Sequence, residues 1–468
     1  MKLKKYLKWA VVWLVAFHSL SCEEFVEIEA PNNKLIREEV FSSDETALSA
    51  MRGIYNELFV AAFSNGDRSS VSFLAALSAD NLENLSTTNL PRMEFQQNEI
   101  SPDNQHNLEL WSSAYNMIYL ANSFLEGLAG SNTISPDYEL QLEGQARFIR
   151  AFTYFYLVNL YGDVPLILTS DYNVNDLASR NSKSRVYEQI INDLQIATDL
   201  LSQDYLNGER TQVNRYVATA LLSRVYLYLE NWEMAESLSS EVIGETSTYE
   251  VLEDLNGVFL ANSREAIWQI SPIGDGEMTT HTNDGRLLII DPVLWFFAVT
   301  EITNGLKTSF EDNDKRSTEW IGYSESLDAY YPSKYQVRNS SDFPIEEYSM
   351  VFRLTELYLI RSEARVRQGK ISEAIEDLDV IRKRAGIELL SETDPAIDQE
   401  ALLNSIMEER RKELFTEWGH RWLDLKRTDR AGEVLGTDNP LWESTDVLYP
   451  IPAEERMSNP NLSQNPGY

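Results

Sequence analysis

Four aromatic residues fall close together in the second half of the chain: Trp320, Tyr323, Tyr330 and Tyr331. Asn283, Asp284 and Arg338 flank them, and an irregular stretch nearer the N-terminus offers Asp67, Arg68, Asp80 and Asn81. This mixture suits one kind of chemistry. A sugar ring presents C–H groups on its faces and hydroxyls around its edge. An aromatic plane accepts the face, while Asp, Asn and Arg side chains bind the edge. These residues are therefore the candidates for a glycan-binding surface carried on exposed loops. Loop aromatics serve peptide ligands as well, and Trp320, which follows Asp314-Lys315-Arg316, has bracing of a loop as its alternative role.

Catalytic patterns are thin by comparison. Beyond residue 21 the histidines are His106, His281 and His420, far apart and without metal-ligand spacing, and neither a nucleophile elbow nor a phosphate loop is present. Asp312 and Asp314 hint at calcium, but their loop lacks the ligand ladder and the glycine of an EF-hand. Carboxylate pairs of the kind that hydrolyse glycosides carry no information here, because 74 acidic residues guarantee many of them. The sequence calls for no metal and no cofactor. Trp111, Trp232, Trp418 and Trp422 sit in helical patterns as core, and Trp268 is core on a β-prone piece.

Cys22 is the only cysteine in 468 residues. Before it stand Lys2, Lys4, Lys5 and Lys8, an apolar run from Trp9 to Phe17, and Ser19-Leu20-Ser21. A basic start, a short apolar run and small residues before a cut describe a secretory signal over 1–21. The run is too short for a membrane-spanning helix, which needs about 20 residues. A cysteine at the cut predicts a lipoprotein with Cys22 acylated, although Leu20 stands one place nearer the cysteine than in the commonest pattern. Without a second thiol there is no intramolecular disulfide and no cysteine-based zinc site.

The net charge is −34, and removing the leader takes away four lysines and no acids. Such acidity argues against nucleic acid, whose phosphates demand a basic face, and against adsorption to anionic lipid. A disordered acidic chain would lack aromatics; this one has 11% aromatic and 43% hydrophobic residues, so it folds. Residues 22–40, with Glu23, Glu24, Glu27, Glu29 and Pro31, read as an acidic tether, and 41–468 as a single domain.

Within that domain the elements are mainly helical. Helices are predicted over 41–62, capped by Ser43, over 106–128, and over 138–161, ended by Gly162 and Pro165. Two helical pairs look like repeats: Val213 to Glu230 with a second helix from Trp232, and Phe352 to Gln368 with Ile371 to Arg384. Each second helix has an early alanine that permits close packing, which resembles tetratricopeptide units. Residues 64–105 and 245–350 are different. They are rich in glycine, asparagine and proline, with short β-prone pieces at Ala266 to Ile270 and Leu287 to Ile290, and read as insertions that carry function.

The last third carries the most specific strings: Glu408-Glu409-Arg410-Arg411-Lys412-Glu413-Leu414-Phe415, then Glu417-Trp418-Gly419-His420-Arg421-Trp422, then Leu423-Asp424-Leu425-Lys426-Arg427. Glu409, Arg410 and Glu413 on one helix, with Asp424 and Arg427 on the next, read as paired charges that orient the two helices. Together with Arg147 to Ala151, Tyr161 to Pro165, Arg353-Leu354 through Glu363-Ala364, Tyr449 to Pro452 and the Asn459 to Tyr468 end, these strings resemble the SusD/RagB family of outer-membrane nutrient-binding lipoproteins. The resemblance covers essentially all of the chain after the leader. It implies a SusD-like fold, mainly α, with tetratricopeptide-like pairs and ligand contacts on the insertions. It also implies a SusC-like TonB-dependent transporter as partner and an oligo- or polysaccharide as ligand, bound without cleavage outside the cell. The acidic pair after Cys22 is similar to the signal that sends such lipoproteins to the outer face of the outer membrane. Peptide capture, a helical glycoside hydrolase and a ligand-free scaffold are the competing readings.

Overall fold

The computed structural model describes residues 37–206, 208–272, 279–437 and 439–468. The leader, Cys22 and nearly all of the predicted tether lie outside those residues. The first long helix, α1 (Asp44–Val60), starts where the sequence places it: the Ser43 side chain accepts from the Thr46 amide and the Thr46 side chain from the Ser43 amide. Two short helices follow, α2 (Val71–Ser78) and α3 (Leu90–Gln97). Next come the two longest, α4 (Gln105–Ala129) and α5 (Pro136–Tyr161). Gly162 ends α5 at φ +73°, a conformation that favours glycine. Phe148, Phe152 and Tyr156 of α5 form the aromatic centre of the core, with Trp268, Phe352 and Trp418 packed around them.

After α6 (Lys183–Leu200), the two helical pairs are α7 (Arg215–Tyr228) with α8 (Trp232–Ile243), and α12 (Leu354–Arg367) with α13 (Ile371–Ala385). Both pairs close in the same way. Ser223 of α7 donates to the carbonyl of Ala235 on α8, and Ser362 of α12 donates to the carbonyl of Ala374 on α13. The spacing is 12 residues each time, and both alanines are fully buried. Small side chains let the helices approach until the hydroxyl of one reaches the backbone of the other. The pairs are bridged through Glu236 of α8, which binds Arg365 of α12 and Lys370 in the turn before α13.

Between the pairs lie α9 (Asn283–Leu288), α10 (Asn304–Ser309), α11 (Lys315–Glu319) and most of the strands. Strand β4 (Ala266–Ile270) pairs antiparallel with β8 (Ser349–Arg353) and is buried throughout. Strands β6 (Ile321–Ser324) and β7 (Ala329–Pro332) form a hairpin in which Tyr323 faces Tyr330. Strands β2 (Val164–Pro165) and β3 (Arg180–Asn181) pair beside the end of α5. The decisive pairing is β1 (Leu82–Asn84) with β5 (Thr300–Ile302), because it joins the two insertions: Leu82 lies opposite Ile302 and Asn84 opposite Thr300. Thr303 continues the seam, its amide donating to the Asn81 carbonyl and its hydroxyl to the Asp80 carbonyl.

One β-prone piece is helical instead. Leu287 and Leu288 belong to α9, whose start is fixed by the Thr282 side chain accepting from the Gly285 amide. A short apolar run does not distinguish strand from helix, and here the cap decides. Trp111, Trp268, Trp418 and Trp422 are core as expected, but Trp232 is half-buried with Arg367 over its ring.

Two helices in the last sixth of the chain, α14 (Gln399–Leu414) and α15 (His420–Arg427), carry the charge pattern seen in the sequence. Arg410 and Arg427 share Asp424, which orients the two helices. Glu409 and Glu413 do a different job: they reach Arg316 on α11, and Glu413 also binds Arg353 and Arg384. Burial alone would raise the Glu413 carboxyl. The surrounding Arg384, Arg353 and Arg316 reverse that and hold it well below the usual range. The chain ends as a strap over α5, with the Tyr449 amide on the Leu160 carbonyl and the Asn465 side chain on Tyr161.

Candidate functional site

The turn between α1 and α2 carries Asp67 and Arg68. The Asn65 side chain accepts from the Asp67 amide, the Asp67 carbonyl accepts from the Ser70 amide, and Ser69 donates to Glu109 of α4. Gly66 sits at φ +77° directly against Asp284, so close that a Cβ there would meet the carboxylate at 2.3 Å. Asp284 is buried at the start of α9 and accepts from the Ser349 hydroxyl. Burial pushes its carboxyl up to about 6 against the pull of that hydrogen bond, and Glu417 and Asp67 add repulsion. Asp284 is thus a support beneath the first insertion.

Asp67 and Arg68 face residues of the second insertion across a pocket of about 230 Å³, whose other lining side chains include Arg286, Asp291, Phe297 and Arg338. Arg338 donates to the Ile289 carbonyl and lies 3.4 Å from Asp291. Asp291 also accepts from the amides of Val293 and Leu294, which folds the chain into a tight turn and draws its carboxyl below the usual value. Out of that turn comes a ridge at the pocket edge: Trp295, Phe296 and Phe297, 38%, 60% and 64% exposed, with neighbouring rings 5.9 and 4.6 Å apart. Val293 beside them is 75% exposed. A contiguous exposed apolar patch of this kind marks a contact surface.

The structure therefore brings Asp67, Arg68 and Arg338 to one pocket, with Asp284 behind it and Asn283 at the start of the adjoining helix. Tyr323 and Tyr330 pair on the β6–β7 hairpin with rings 4.8 Å apart, and Lys307 lies 3.5 Å over Tyr330. The Tyr331 ring lies across Gly322, where a Cβ would collide with it. Three candidates are placed against a ligand role. Trp320 is fully buried, donates to the Leu255 carbonyl, and has the Lys334 ammonium 4.8 Å over its ring, so no sugar can reach its face. Asp80 is held by Arg411 and Arg421, which outweigh burial and lower its carboxyl. Asn81 is buried and accepts from Arg411. These three brace the seam and the inserted segment.

Trp295, Phe296, Phe297, Arg286 and Asp291 were missed in the sequence reading. Consecutive apolar residues look like core; the signal for a surface ridge is the Asp291-Pro292 turn immediately before a run too short for a buried helix. A larger groove of about 440 Å³ on the other flank of α4 is walled by Trp111, Tyr115, Tyr119 and Tyr172. Its amides are already committed inside the protein, Asn175 to Thr169 and Asn459 to Ala178.

Among the described residues no group of His, Cys, Asp and Glu is arranged to hold a metal ion, and no helix is long and apolar enough to cross a membrane. The helical frame presents a polar pocket and an aromatic ridge on joined insertions, an arrangement suited to holding a ligand. Two family models match the chain, one described as starch-binding associating with outer membrane over residues 29–227, the other as SusD family over 300–468. The chain belongs to the SusD/RagB family, whose members are outer-membrane-associated binding proteins. It is 25% identical to a SusD-like protein of Formosa agariphila, with both chains covered in full. It is 24% identical to the starch-binding protein SusD of Bacteroides thetaiotaomicron, over 74% of this chain and 76% of that one. Its fold is similar to that of a SusD superfamily protein from Bacteroides vulgatus, with a TM-score of 0.79 at 20% identity, covering 91% and 99% of the two chains. A laminarin-binding SusD-like protein gives 0.77 at 23% identity, covering 92% and 100%.

Proposed function

We propose that this protein captures an oligo- or polysaccharide at the cell surface, without cleaving it, and passes it to a SusC-like TonB-dependent transporter. It would be anchored in the outer membrane through an acylated Cys22, with the acidic residues behind it directing it outward. The observation that carries the reading is the pocket built jointly by the two insertions, with the Trp295–Phe297 ridge at its edge. Exposed aromatic planes beside paired polar groups are what a glycan requires, and the same family includes a protein named for starch binding.

Calorimetric titration of the chain from residue 23 onward, against a panel of polysaccharides and their oligomers, tests it. Saturable binding to one class without products on chromatography is the expected result. Replacing Phe296 and Phe297 together by Ala is expected to weaken that binding by roughly tenfold or more, at about 1–3 kcal/mol per lost aromatic contact, with an unchanged circular dichroism spectrum. Binding of peptides in preference to every glycan, or release of shortened sugars, would overturn the reading.

A further inference from the structure

The charge of the pocket runs against that of the protein. In a chain of net charge −34, three guanidinium groups line one small cavity: Arg68, Arg286 and Arg338. Only Arg338 has a carboxylate partner, Asp291. Arg68 and Arg286 are exposed, and among the described residues neither guanidinium has an ion-pair or hydrogen-bond partner. A fourth, Arg92, is buried behind the seam, where it donates to the carbonyl of Val299, itself a lining residue. Its Nε has no partner at all, and burial with repulsion from Arg68 lowers its pKa. Burial lowers the pKa of His106 on α4 as well, with repulsion from Arg92 and Arg68 adding to it against the pull of Glu109 and Asp67. The acids facing this group are Asp67 and Asp291, and Asp291 is already committed to two amides and Arg338.

Guanidiniums gathered without counter-ions repel one another, and the exposed Arg68 and Arg286 are left to be satisfied by solvent or by a ligand. In a protein with so many carboxylates, Arg68 and Arg286 are left open to an anion from outside. We infer that the glycan taken by this site is acidic, carrying carboxylate or sulfate groups that dock between Arg68 and Arg286 while its rings lie along the aromatic ridge. The inference rests on the glycan-capture reading and names its substrate class. Guanidinium is the group suited to it, since its planar fork donates two parallel hydrogen bonds to either anion. The net charge of −34 sharpens the selection, because a polyanion is disfavoured by the protein as a whole and needs a local cluster of cations to bind.

The test is titration of the chain from residue 23 onward with matched sugars: an oligogalacturonate, a sulfated galactan oligosaccharide, the desulfated form of the latter, and neutral laminarin oligosaccharides. Each is repeated at about 50 and about 500 mM salt, concentrations that shorten the screening length severalfold. The expected result is binding of one or both charged sugars, weakened by salt and lost by about tenfold or more in Arg68→Gln/Arg286→Gln. Both side chains are exposed and unpaired, so the variant keeps its fold. The uronate and sulfate arms tell which anion is recognised. Binding of neutral and charged sugars alike, or indifference to the double substitution, would overturn the inference and leave glycan capture standing. Silence toward all four sugars, or preference for a glutamate-rich peptide, would remove the glycan-capture reading itself.

Discussion

Asp284 and Glu413 are both buried carboxylates, and their surroundings move them in opposite directions. Guanidinium groups from three elements surround Glu413, so its stabilising contribution is fully present above the ordinary value of 4.5 and is lost only as pH falls through a much lower one. Asp284 accepts from a serine hydroxyl and, among the described residues, pairs with no cation, and burial raises it from 3.8 to about 6. A raised carboxyl works the other way: folding is unburdened below pH 3.8, and the cost builds above that value and is complete once pH has risen through about 6. Asp284→Asn should therefore gain stability relative to the parent by about 2 kcal/mol more at pH 8 than at pH 4, which urea unfolding at the two pH values measures. A gain equal at both would mean that the carboxyl titrates normally. Burial of Trp320 and Asn81, and the two arginines on Asp80, are what the sequence could not show. A tryptophan near tyrosines in an irregular segment gives no sign of whether its face is open or covered by a lysine.

The helical pairs show what repetition achieves at the scale of the element. In both, a serine of the first helix meets the carbonyl of an alanine 12 residues on, and that contact requires the helices to touch. Ala235→Leu and Ala374→Leu should each cost about 1–3 kcal/mol through overpacking, measured by chemical denaturation. If one substitution is tolerated while the other is not, the pairs are not equivalent units. These helices were legible because a 3.6-residue period and end signals such as Ser43 and Gly162 are local. The joining of the insertions was not, since β1 and β5 are three residues each and lie far apart in sequence. For the same reason Asp67, Arg68 and Arg338 could be named as loop polar residues, but nothing local showed that they share a pocket.

Over the whole molecule, the charges of α14, α15 and the turn between them are divided between two tasks. Arg410, Asp424 and Arg427 fix α14 against α15, while Glu409, Glu413 and Glu417 neutralise Arg316, Arg353 and Arg384 from the inserted region and the second pair. Buried cations left without partners are strongly destabilising. A chain stopped at residue 398, just before α14, should therefore leave 245–350 open to protease, whereas the full chain resists cleavage there. Equal resistance would show that the insertion is held by its local contacts alone. This dependence has a temporal meaning. A polypeptide is made from its N-terminus, so the segment that forms the pocket is finished well before the carboxylates that lock it. Until α14 and α15 have been made, Arg316, Arg353 and Arg384 lack three of the carboxylates that hold them, so the frame behind the pocket sets later than the pocket's own residues.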